Sequence, residues 1–192
     1  MSLISKTSRP TLISRRQLIV GGAALVLAGS IINPATAGVR VGARARERSL
    51  ALQNLHTGEN LKTVYWQGGA YVRSALDEID HIMRDYRTNQ IKSIDPTLLD
   101  LLHRLQDTLD SHRPFQIVSG YRSPKTNARL AAHSGGVAKR SMHVKGMAID
   151  IRLEGCDSRQ IHKAALSLEA GGVGYYAKSD FVHLDVGKVR SW

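Results

Sequence analysis

A chain of 192 residues with one cysteine, Cys156, cannot close a disulfide within itself. Any metal it holds has to be gripped by histidine and carboxylate, and Cys156 reads as a half-buried, inert thiol. Acidic residues are missing from the first 37 positions altogether. The apolar run there, "LIVGGAALVLAGSII", stops at about fifteen residues, short of the roughly 20 that a spanning helix needs. Internal repeats and low-complexity blocks are absent too, so the length bounds a single domain rather than an array.

What stands at the start instead is an export signal. Lys6, Arg9, Arg15 and Arg16 precede the apolar run, and "NPATAG" follows it with Ala35 and Ala37 at the small-residue positions of a cleavage site. The expected cut falls between Ala37 and Gly38. "SRRQLIV", Ser14 to Val20, resembles the twin-arginine signal, with Leu18 and Val20 in place of its usual Phe and Lys. The chain therefore divides into a signal over 1–37, a flexible polar segment over 38–48 and one domain over 49–192. The domain is expected to work in a bacterial periplasm, free after cleavage, or membrane-anchored if the signal is kept.

The first 37 residues hold four of the 27 basic residues and none of the 16 acidic ones, so the remainder carries 23 against 16, near +7. Outside the cytoplasm such a charge favours anionic lipid or an anionic wall polymer, not nucleic acid. Acids are interspersed with the basic residues, so the expected effect is long-range attraction alone.

"LALQNLHTGENLKTVYW" alternates apolar and polar residues on either side of Gly58 and predicts a hairpin. Val72, Leu76, Ile79, Met83 and Tyr86 predict one helix. Leu98, Leu101, Leu102, Leu105 and Leu109 predict another, opened by Asp95 and Pro96. "FQIVSG" is a strand, and Ser123-Pro124 caps the helix after it. "MAIDIRL" is a second strand, followed by a helix over "DSRQIHKAALSL" with Asp157 and Gln160 as a capping box. "GGVGYY" and "FVHLDVG" pair as a hairpin. Together these predict an α+β domain with a small, mainly antiparallel sheet of about four strands flanked by helices.

Side chains alternate faces along a strand. In "AIDIRL", Ile149, Ile151 and Leu153 take the core side, which leaves Asp150 on the other with Ala148 and Arg152. In "FVHLDV", Val182, Leu184 and Val186 go inward, while His183 and Asp185 share the outer face with Phe181. Neighbouring strands in register would set Asp150 beside His183. The loop before Met147, freed to turn by Gly146, would fold His143 over both. Two imidazoles and one carboxylate form a common ligand set for a zinc that keeps a fourth position for water. Nitrogen donors also argue against Ca²⁺ and Mg²⁺, which prefer oxygen. Of the eight histidines, His81, His103 and His112 read as solvated, and His133 and His162 as helical bystanders.

"SGYRS" (Ser119–Ser123), "SMHVKGMAID" (Ser141–Asp150), "GVGYY" and "FVHLD" resemble the successive motifs of the D-alanyl-D-alanine-type zinc peptidases. That group takes in lysostaphin-like enzymes and the hedgehog amino-terminal domain. Within it, "NLHTGE" and "IDPTLLDLL" make the likeness strongest to a twin-arginine-exported, murein endopeptidase K-like branch.

The resemblance implies a hedgehog/DD-peptidase-like fold, one Zn²⁺, and His143, Asp150 and His183 as its ligands. It implies Arg122 on the substrate carboxylate or developing oxyanion, and Asp180, three residues before the last histidine, as general base. Ser119, Tyr121 and Ser141 would lie in or beside the substrate site, with Asp185 behind the ligand histidine. The implied activity is hydrolysis of amide bonds in peptidoglycan cross-links. A D,D-carboxypeptidase on stem peptides, or a non-catalytic wall-binding module, is the alternative. The twin-arginine machinery and peptidoglycan are the implied partners. Which cross-link is cut, diaminopimelate to D-alanine or to a second diaminopimelate, is not legible.

Overall fold

The structure, a computed structural model, describes residues 47–133, 138 and 140–192. The expected signal and nearly all of the flexible segment lie outside these residues. Among the described residues no helix is long and apolar enough to cross a membrane.

Among the described residues eight strands form one sheet. In chain order they are β1 (Arg48–Asn54), β2 (Asn60–Gln67), β3 (Ala70–Tyr71), β4 (Phe115–Ser119), β5 (Ala148–Leu153), β6 (Gly172–Tyr176), β7 (Phe181–Asp185) and β8 (Arg190–Ser191). Their spatial order is β3-β2-β1-β4-β5-β7-β6-β8. The α+β class is as expected, but the sheet is neither four-stranded nor wholly antiparallel. β1 runs parallel to β4 and β8 parallel to β6; every other pairing is antiparallel. The hairpin β1–β2 joins the central sheet because its inward residues, Leu50 and Leu52, need the same cover as Phe115 and Ile117.

That cover comes from α1 (Arg73–Ile82), α2 (Pro96–Thr108) and α4 (Ser158–Ser167), whereas α3 (Pro124–His133) buries only Thr126 and Asn127 and adds nothing to the apolar core. α2 starts as its sequence dictates, with the Asp95 carboxylate accepting from the Thr97 N–H and proline in the first turn. Its stripe of Leu98, Leu101, Leu102 and Leu105 is buried, together with Ile149, Ile151, Leu153, Val182 and Leu184 from the sheet. α1 ends at Ile82, so Tyr86 lies past the helix and stacks on His56, with ring centroids 3.8 Å apart. Asp157 caps α4 through the Arg159 N–H, but the expected reciprocal box does not form, because the Gln160 amide oxygen accepts from the Cys156 thiol.

One face of the sheet is therefore closed by apolar packing. The other, along β5, β7 and β6, carries the polar residues considered next.

Candidate metal centre

The register of β5 and β7 pairs Asp150 with His183 directly. His143 arrives from a single 3₁₀ turn, Met142–Lys145, which Ser141 caps by accepting from the His143 N–H. Gly146 ends that turn at φ 74°, in the left-handed region, with the Ser93 carbonyl packed where a Cβ would stand. No other residue fits there without moving the 93–94 backbone. The turn thus carries His143 over the β5–β7 pair. One ligand atom from each of His143, Asp150 and His183 lies within 4.8 Å of the other two, and all three residues are buried.

The protons on the imidazoles follow from their other contacts. His143 Nδ1 donates to the Gly120 carbonyl at 2.7 Å, which leaves Nε2 with a bare lone pair. His183 Nε2 donates to the Asp185 carboxylate at 3.1 Å, which leaves Nδ1 bare. Those two nitrogens stand 3.1 Å apart, and Asp150 Oδ1 lies 3.2 Å from the first and 2.8 Å from the second. Three electron-rich atoms this close repel one another unless a cation or an added proton sits among them. Burial pushes the His143 imidazole toward its neutral form, against the pull of Asp150. Burial also opposes ionisation of Asp150, yet the two histidines hold its carboxyl well below the usual range. Burial opposes charge on His183, but its hydrogen bonds to Asp150 and Asp185 raise its pKa, so a proton and a metal ion compete for the same place. With that proton displaced, two imidazole nitrogens beside an ionised carboxylate form a donor set that fits a divalent cation.

Asp185 is fully buried behind His183. Besides the imidazole it accepts from the backbone N–H groups of Gly172 and Gly187 and from both terminal nitrogens of Arg190, at 3.1 and 2.6 Å. This is the position of an acid that orients a ligand histidine. Burial works against its charge, but these donors hold its carboxyl far below the usual range.

A cavity of about 490 Å³ opens over Asp150 and His183, with His143 buried behind its wall. Its wall includes Arg122, Arg140, Ser141, Tyr176, Phe181, Arg190 and Trp192 beside Asp150 and His183. Arg122 is largely buried, its Nε has no hydrogen-bond partner, and one terminal nitrogen reaches Ser141 Oγ at 3.4 Å. Burial lowers its pKa, with the charge of Asp150 opposing. It is a cation aimed at the cavity with donor capacity to spare.

Three of the residues expected here are placed differently. Ser119 sits opposite Asp150 across a bulge in β4 but does not line the cavity. Tyr121 packs into the hydrophobic core, and its N–H donates to the Met83 carbonyl. Asp180 is exposed in a left-handed turn (φ 48°, ψ 56°), where Arg152 donates to its backbone carbonyl. The wall includes its neighbours Ser179 and Phe181 but not Asp180 itself. Conversely, the motif reading passed over Arg140, Arg190 and Trp192. The alternation in "VRSW" was the only available signal for the last two.

Residues 42–192 match the family described as peptidoglycan L,D-endopeptidase MepK. The chain belongs to this family. The MepK protein of Escherichia coli (strain K12) is 49% identical over 178 residues, which cover 93% of this chain and 96% of that protein. A Haemophilus influenzae protein named as a probable MepK is 38% identical over 179 residues, 93% of this chain and 94% of its own length. No solved structure matches. The MepK match takes in β1 through β8, and with them every residue of the centre.

Proposed function

We propose that the chain is a zinc-dependent peptidoglycan L,D-endopeptidase, acting in the periplasm after twin-arginine export directed by residues 1–37, with the peptidase domain over 49–192. The observation that carries the reading is the convergence of His143 Nε2, Asp150 Oδ1 and His183 Nδ1 beside a cavity lined by Arg122. The names of the MepK relatives supply the substrate class. Those three atoms would hold the metal. Nitrogen donors favour zinc over calcium or magnesium, and bound zinc supplies Lewis-acid polarisation of a carbonyl and a lowered pKa for water.

The chain's own residues do the rest. Gly120 and Asp185 fix which nitrogen each imidazole turns to the centre. Arg122 donates to the scissile carbonyl oxygen as its charge grows, an effect on the order of 3 kcal/mol for one well-placed donor. Ser141 steadies Arg122 from one side and the His143 turn from the other. Asp180 is the candidate proton acceptor. Among the described residues no hydrogen bond or ion pair engages its exposed carboxylate, and its place three residues before His183, between the cavity-lining Ser179 and Phe181, is what supports the role.

Digestion of purified sacculi with the zinc-loaded protein, followed by mass spectrometry, tests the reading. Cleavage between two diaminopimelate residues is expected. Release of D-alanine alone would mark a carboxypeptidase, and no product at all would mark a binding module. Asp180→Asn should abolish cutting with zinc retained; full activity would remove Asp180 from the mechanism.

A further inference from the structure

The face that carries the metal centre continues past the last ligand. Asp150 on β5 pairs with His183 on β7, and His183 pairs with Gly174 on β6. Val173 pairs with Ser191 on β8, and the Trp192 backbone brackets Gly174 by bonding Val173 and Tyr175. Paired residues point to the same side of a sheet. One row across β5, β7 and β6, ending on the residue just past β8, therefore reads carboxylate, imidazole, glycine, indole.

Glycine is what lets the indole lie there. A Cβ on Gly174 would come within 2.6–2.8 Å of three Trp192 ring atoms, so the ring rests on bare backbone beside His183, 5.3 Å between centroids. Its N–H donates to the Tyr176 hydroxyl at 3.0 Å, and the Arg190 guanidinium lies 5.0 Å from its centroid. Tyr176 in turn stacks on Phe181 at 4.5 Å. Three aromatic rings thus floor the part of the cavity next to His183, while Arg122 and Arg140 line the same cavity with positive charge. Trp192 is still 48% exposed, so among the described residues nothing covers the outer side of this fixed aromatic residue.

We propose that Trp192 is the specificity-determining residue of this centre, the floor of a subsite for a short methylene chain that ends in a carboxylate. This rests on the endopeptidase reading above and narrows its substrate. A diaminopimelate side chain has that chemistry: methylenes to lie on the indole and a carboxylate for the arginines. A rigid aromatic floor selects among peptides at little entropic cost, because the ring is already fixed by its hydrogen bond and by its seat on Gly174.

The test uses the mature protein with Trp192→Ala, Trp192→Phe and Gly174→Ala, the last displacing the indole without removing it. Metal-free protein is titrated calorimetrically with a purified disaccharide-peptide dimer cross-linked between two diaminopimelates, and KM, kcat and zinc content are measured on loaded protein. Trp192→Ala and Gly174→Ala are expected to weaken dimer binding and raise KM about tenfold, the scale of one aromatic contact. With zinc content unchanged, kcat should stay within about threefold, since the lost contact is made in ground and transition states alike. Trp192→Phe should recover part of the affinity. Dimer affinity unchanged in Trp192→Ala would overturn the proposal. So would loss of zinc in Trp192→Phe, since the indole would then serve the centre rather than the substrate. If wild-type loaded protein cuts neither this dimer nor intact sacculi, the endopeptidase reading falls, and the metal-free titration still decides the role of Trp192.

Discussion

Two carboxylates, the half-buried Asp100 packed against one half of the sheet and the buried Asp150 in the other, are handled in opposite ways. Asp100 on α2 lies against β1, β2 and β3 and accepts from Arg48 at 2.7 Å, from the Tyr65 hydroxyl at 2.9 Å and from the Tyr71 hydroxyl at 2.8 Å. Every close neighbour is a donor, and their combined pull lowers its pKa despite burial. Asp150 on β5 faces two imidazole nitrogens whose protons are committed elsewhere. The first arrangement is complete and stabilises the fold. The second leaves three acceptors facing one another, a cost that a folded chain carries when a ligand offsets it. Donor accounting separates the two clusters, although both are acids at least partly withdrawn from solvent beside basic groups.

The sharpest way to break this contrast is to remove each carboxylate. Asp150→Asn should abolish zinc binding and lower peptidase activity by at least about 10³-fold, since a ligand is lost rather than a support. The same variant in chelator should melt at or above the wild-type temperature, because it relieves the crowding of acceptors. Zinc at about 1,000 times its dissociation constant should stabilise the wild type by about 4 kcal/mol and leave Asp150→Asn unmoved. Calorimetry with and without metal reads both effects. A variant that still binds zinc would take Asp150 out of the ligand set.

Much of the centre was legible because it rests on strand alternation, which survives in a single sequence. Asp150 and His183 stand among Ile149, Ile151, Val182 and Leu184, so the apolar residues alone identify the polar face. Gly146 marked the turn that brings His143 in. What was lost lies where alternation stops. The bulge between Ile117 and Ser119 shifts the register of β4, after which the chain leaves the sheet and Tyr121 turns inward. β3 and β8 have two residues each, too few to show any period. The parallel pairing of β1 with β4 joins residues separated by two helices, and nothing local in either strand records it. Asp180 stands at the motif position for a base, but only coordinates reveal that its turn faces it outward.

Arg122 and Asp185 sharpen the comparison from within the centre. Arg122→Ala should lower kcat/KM by about 10²-fold with zinc content intact, as expected for a lost oxyanion donor. Asp185→Asn should weaken zinc binding by about 10- to 100-fold, because the amide can present its NH₂ to His183 and reverse the imidazole's tautomer. Competition with a chromogenic chelator measures the second. If the two variants exchanged phenotypes, Arg122 would be structural and Asp185 catalytic. In the complete cluster, Asp100→Ala should cost about 1–3 kcal/mol by stranding the buried Tyr65 hydroxyl. Its activity should stay within about twofold of wild type, since no transition-state contact is removed.

The smallest effect belongs to a second complete cluster, close to the cavity. Asp85 is buried and accepts from the Ser123 N–H at 2.9 Å and the Arg87 N–H at 3.0 Å, which secures the backbone next to Arg122. Burial alone would raise its pKa, but the hydroxyls of Thr126 and Ser123 and these N–H groups bring it down to about 2. In the unfolded chain the carboxyl titrates near 4. The folded state thus binds the proton less readily, and the stability this provides is complete above pH ~4 and lost as pH falls toward ~2. Asp85→Asn should flatten the stability curve across that window, as read by urea unfolding at successive pH values. An unchanged curve would mean that the donors around Asp85 serve a neutral acid equally well. The carboxylate would then matter as a shape that holds Ser123 in place, and its charge would contribute nothing.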